Sequence, residues 1–121
     1  MPSKDPRIPL REIRDNIDFA LSCVQGYTLD AFLNDQKTLY AVTRALEIIS
    51  EASRRLPETI KQRHPDIPWS DMAGAGNIYR HDYEDVSATM IWNTLKNNLP
   101  SLKQTVLQEL SLCDGGGDTG S

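Results

Sequence analysis

Apolar residues recur every three or four positions along most of the chain, and β-branched residues nowhere alternate with polar ones for long. That pattern predicts helices and no sheet. Ile13, Ile17, Ala20, Leu21 and Val24 form a stripe opposite Arg11, Glu12, Arg14, Asp15 and Asp18, which predicts a first helix from about Leu10 to near Gly26. Thr28 stands where it can cap a short turn through Phe32 and Leu33, and Asp35 where it can cap the longest helix. In that helix Leu39, Val42, Leu46, Ile49 and Leu56 keep the three-four spacing while Thr43, Arg44, Glu47, Glu51 and Arg54 flank it, so it is expected to be the spine of a bundle. Pro57, Pro65 and Pro68 punctuate the middle. Pro57 suits the first turn of a short helix carrying Ile60 towards His64, and Pro68 or Ser70 opens the next helix. Val86, Met90, Ile91 and Leu95 continue to Leu102, Val106 and Leu110 across Asn98-Leu99-Pro100, where either one helix stops and another restarts or a single helix kinks.

A chain of 121 residues with this patterning is expected to form one all-α domain. The formal net charge of -4 excludes the broad basic footprint of a protein that coats nucleic acid, so any RNA contact has to be local. Cys23 and Cys113 match no zinc or redox spacing and read as reduced thiols; no metal is expected. Residues 1–9 form a polar, proline-rich arm without an apolar leader core, no segment approaches a membrane span, and the expected location is the cytoplasm. The glycine-rich residues 114–121 read as a disordered tail, which leaves 10–113 as the domain.

Polar chemistry concentrates between two ordinary amphipathic patterns, in Ala73-Gly74-Ala75-Gly76-Asn77-Ile78-Tyr79-Arg80-His81-Asp82-Tyr83. On a helix, Asn77, Arg80, His81 and Glu84 fall on or near one face. An imidazole, a guanidinium and a carboxamide together can grip and cleave a phosphodiester; equally, they can be a solvated helix surface with Arg80 paired to Glu84. Gly74 and Gly76 each cost a helix about 1 kcal/mol relative to alanine, which points to close approach of another backbone or to a local turn. Trp69 and Trp92 read as core or interface anchors, and His64 as a solvated loop residue.

The runs Phe32-Leu33-Asn34-Asp35, Tyr40-Ala41-Val42, Leu46-Glu47-Ile48-Ile49-Ser50-Glu51-Ala52, His64-Pro65-Asp66-Ile67-Pro68-Trp69, Ala73-Gly74, His81-Asp82-Tyr83, Ile91-Trp92 and Asn98-Leu99-Pro100 closely resemble the HepT-like branch of the HEPN superfamily, collinearly over residues 10 to 110. The resemblance implies an antiparallel helical bundle with short accessory helices that dimerises. It further implies the toxin half of a toxin-antitoxin pair, a metal-independent RNA endonuclease whose partner is a minimal nucleotidyltransferase.

The family's ribonuclease motif is an arginine and a polar residue, then a histidine, a spacer and a tyrosine. The polar residue falls on Asn77, the histidine on His81 and the tyrosine on Tyr83, while the arginine position falls on Gly76 and Ser50 stands where the family commonly has glycine. If the segment is helical, Arg80, four residues beyond Gly76, is expected to lean back over the turn that Gly76 leaves bare, because helical side chains tilt towards the N-terminus. The catalytic set is then His81, Arg80 and Asn77, with Gly76, Glu47 and Glu51 in support. The resemblance makes Tyr83 the residue that the nucleotidyltransferase adenylylates, with Tyr79 as a competing acceptor. A catalytically inactive HEPN module that binds a nucleotidyltransferase or a nucleotide is the alternative, and a helical adaptor a third.

Overall fold

Local capping explains where the helices begin. In the computed structural model, residues 5–72 and 85–118 are described. Helix α1 spans Arg7–Cys23, α2 Leu29–Leu33, α3 Gln36–Arg54, α4 Glu58–Arg63, α5 Asp85–Asn97 and α6 Leu99–Asp118, and no strand occurs among the described residues. The all-α expectation holds.

The Thr28 hydroxyl accepts from the Ala31 N–H at 3.1 Å, and the Asp35 carboxylate from the Thr38 N–H at 3.2 Å, so both expected caps form. Tyr27 Oη and Thr38 Oγ1 also donate to Asp35, and these hydrogen bonds hold its carboxyl at about 2. Gly26 at φ +80° turns the chain between α1 and α2. Pro57 occupies the position before α4 rather than its first turn.

Two boundaries differ from expectation. The first helix begins within the supposed arm, at Arg7, because the Asp5 carboxylate accepts from the Arg7 N–H at 3.0 Å and Pro9 sits in the first turn, where no N–H is needed; Pro9 is itself buried. At the other end, the α6 backbone runs on through Asp118, because the helical bonding propagates out of the packed Leu99–Cys113 portion into the glycines expected to be a disordered tail. With that extension α6, at 20 residues, exceeds the 19 of α3. At Asn98 the chain stops and restarts: its N–H donates to Thr94 O while its own carbonyl accepts from Leu102, and Pro100 falls in the first turn of α6.

The core is one cluster in which Ile13 and Ile17 of α1, Phe32 of α2, Val42, Leu46 and Ile49 of α3, Ile91 and Leu95 of α5, and Leu102, Val106 and Leu110 of α6 are all buried. Helix α1 packs chiefly on α3 and next on α6. An ion pair from Arg55, just past the end of α3, to Glu12, near the start of α1, shows that these two helices run antiparallel. Asp18 of α1 pairs with Lys103 of α6 at 2.7 Å. Trp69 and Trp92 are half-buried against the core, Trp92 with its ring centroid 5.3 Å from that of Phe32 and with Lys96 Nζ 4.8 Å over its face. Cys23 and Cys113 are free thiols.

Candidate functional site

Asn77, Arg80, His81 and Tyr83, with Gly76 and Tyr79, lie outside the described residues. What is described is the scaffold on either side of them: a helical stretch at residues 69–72 that opens after Pro68, and α5 from Asp85 onward.

The supporting carboxylates lie one turn apart on α3. Glu47 accepts from Arg44 Nη1 at 3.1 Å with its side chain only 18% exposed, whereas Glu51 pairs with Arg54 at 3.3 Å and is 61% exposed. With Glu12, Arg44, Arg54 and Arg55 they line an open cleft of about 280 Å³ in which every arginine already faces a glutamate. Such a surface is balanced in charge, and Glu47, more enclosed than Glu51, is the better placed of the two to hold a cation in a fixed orientation.

A second cleft, of about 320 Å³, opens between α3, residues 66–72 and the junction of α5 with α6. Leu46, Ile49, Ile67, Met72, Leu99 and Leu102 supply its apolar lining, and Asp66 and Asp71, both exposed, its carboxylates. Ser50 is buried and borders both clefts.

A further polar cluster corrects the reading of His64 as a solvated loop residue. Its side chain is only 14% exposed, and its Nε2 lies 2.6 Å from Oε2 of Glu109, a carboxylate 2% exposed on α6. Arg63 closes the cluster as a fork, Nη2 to Oε1 at 2.6 Å and Nε to Oε2 at 3.1 Å. The Arg63 hydrogen bond holds the Glu109 carboxyl below its ordinary range against the opposing effect of burial, and the His64 bond adds to it. One signal in the sequence pointed here. Glu109 falls in register with Leu102, Val106, Leu110 and Cys113 on the apolar stripe of α6, and an acidic residue in such a stripe needs a buried partner.

Among the described residues no group of three or more His, Cys, Asp or Glu side chains could hold a metal ion, and no helix is long and apolar enough to cross a membrane.

The fold and this scaffold define an all-α bundle whose polar segment is carried between the helical stretch at 69–72 and α5. Residues 13–109 match the family model described as ribonuclease HepT-like. A protein of Thermococcus cleftensis named a probable ribonuclease HepT is 40% identical over 94 residues, covering 78% of this chain and 86% of the relative. A candidate RNase of Methanocaldococcus jannaschii is 37% identical over 101 residues, 84% of each chain, and another from Caldanaerobacter subterraneus is 33% identical over 107 residues, covering 88% and 96% respectively. No solved structure gives a significant match. The chain belongs to the ribonuclease HepT-like family of the HEPN superfamily.

Proposed function

We propose that the protein is a metal-independent RNA endonuclease, the toxin of a toxin-antitoxin pair, working in the cytoplasm as a homodimer. The observation that carries this reading is the family match over residues 13–109, which runs through Asn77, Arg80, His81 and Tyr83 and includes relatives named as ribonucleases. In the proposed reaction His81 takes the proton from the ribose 2′-hydroxyl, the 2′-oxygen forms a bond to phosphorus, and the bond to the 5′-oxygen breaks as that oxygen is protonated by an imidazolium. Arg80 forks onto the phosphate oxygens as negative charge grows there, in place of the motif arginine whose position is Gly76, and Asn77 adds a neutral donor. Glu47 orients the cation from α3. A two-fold dimer sets two copies of His81 around one cleft.

Wild-type protein should cleave single-stranded RNA in the presence of a chelator, and light scattering on the same micromolar sample should give twice the chain mass of 13.6 kDa. A sample that cleaves as a monomer would remove the shared cleft; one that never cleaves would favour the inactive module, the reading that Gly76 at the arginine position supports.

The proposed partner is a minimal nucleotidyltransferase that transfers adenylyl groups to Tyr83. An added nucleotide brings negative charge and bulk to the place where the RNA phosphate binds, which accounts for inhibition electrostatically. After incubation with that partner, ATP and magnesium, intact-mass analysis should show added AMP that is lost in Tyr83→Phe. Label persisting in that variant would move the acceptor to Tyr79 or elsewhere.

A further inference from the structure

Glu109 is the one buried carboxylate among the described residues, and the proposed cleavage makes no use of it. Attachment of α6 does not require it either, since Leu102, Val106 and Leu110 are buried in the core and Lys103 pairs with Asp18. An apolar side chain of similar size would fill the same space without the cost of desolvating a charge. What a carboxylate adds there is direction. A forked guanidinium together with a ring nitrogen on the same two oxygens accepts one orientation, whereas an apolar contact tolerates many.

The orientation fixed in this way is that of the turn leading towards the polar segment. The His64 carbonyl, beside the ring held by Glu109, accepts from the Ile67 N–H at 3.1 Å and from Trp69 Nε1 at 3.0 Å, and the same indole reaches Lys61 O at 3.2 Å. The Met72 N–H then donates to Pro68 O at 3.0 Å. From Lys61 to Met72 the chain is therefore one hydrogen-bonded unit, clamped to α6 at Arg63 and His64.

We infer that Glu109 is a positioning residue for RNA cleavage: by clamping Arg63 and His64 it sets the direction in which the chain leaves Met72, nine residues before His81. The inference rests on the ribonuclease reading. A catalytic group displaced by an ångström loses on the order of a hundredfold in rate, so loosening the clamp acts on the chemical step more than on RNA binding.

The test is steady-state RNA cleavage by wild type, Glu109→Gln and Glu109→Met, at a temperature where circular dichroism shows each fully folded. The near-isosteric Gln variant decides, because it keeps the shape and loses the charge. Its kcat should fall by about tenfold with KM within about twofold, and the Met variant should lose at least as much. In both, the Trp69 indole N–H should exchange faster with solvent by NMR, and by a larger factor than the core amides of α1 and α3, since a uniform loss of stability would speed all of them together. A Gln variant with wild-type kcat, or with an undisturbed Trp69 indole, overturns the inference while leaving the ribonuclease reading intact. Wild-type protein that does not cleave RNA overturns both, which separates the two failures.

Discussion

His81→Ala and Arg80→Ala should each lower metal-free RNA cleavage by roughly a hundredfold or more, equivalent to about 2.7 kcal/mol of transition-state stabilisation. The imidazole is the only side chain of the motif that titrates near neutrality, so its loss leaves water to move the proton. The guanidinium meets a phosphodiester that already carries one negative charge and gains a second as it reacts, so its loss should raise KM and lower kcat, with the larger effect in kcat. Arg80→Lys separates a fork from a point charge: an ammonium in the same place should recover only part of the rate. Gly76→Arg belongs in the same assay. If Arg80 already supplies the phosphate cation, a second arginine four residues earlier gains little. If the native site is inactive, wild type and both alanine variants will be equally silent and Gly76→Arg is the change that restores cleavage. Wild-type activity that survives both alanine substitutions would place the chemistry outside the segment altogether.

The elements that the sequence made legible are those specified locally. Thr28 and Asp35 lie three residues from the N–H groups they cap, and the apolar stripes of α1 and α3 are complete within each helix, so neither needed knowledge of the rest of the chain. The start of α1 is not legible, because Pro9 and the polar residues around it resemble an arm and the helix depends on the Asp5 carboxylate accepting from the Arg7 N–H. The extension of α6 is not legible either, because glycine argues against helix and only continuity with a packed helix overrides it. The clamp is different in kind. His64 and Glu109 stand 45 residues apart, and nothing near Arg63-His64-Pro65 announces a buried partner; the clue was remote, an acid on the stripe of α6. As for the candidate site, its residue types and their likeness to the family motif are legible, and Glu47 and Glu51 lie on α3, the long helix that the apolar spacing predicts. The reach between those carboxylates and Arg80 or His81 depends on packing between elements, which spacing along the chain does not encode.

Phe32→Ala should be the most destabilising single substitution in the short elements, with an expected loss of about 3–5 kcal/mol. Helix α2 has five residues, too few to hold together alone, and Phe32 is its one buried side chain. The ring is fully enclosed, touches Trp92 of α5 and belongs to the same core cluster as Val42 of α3, so its removal leaves a cavity at the junction of three helices. Thr28 and Asp35 still cap α2 and α3, but a cap fixes only where a helix starts, not what it packs against. Against a total stability of roughly 5–15 kcal/mol for a domain of this kind, such a loss is large enough to lower the melting temperature by roughly 10–20 °C. Chemical denaturation should show the midpoint falling with little change in slope, since the same surface is exposed on unfolding. Phe32→Leu, which keeps most of the volume, should lose much less. A melting temperature within a few degrees of wild type for Phe32→Ala would mean that α2 does not depend on its one buried anchor, and that the junction between α1 and α3 is held by the Tyr27, Asp35 and Thr38 hydrogen bonds instead.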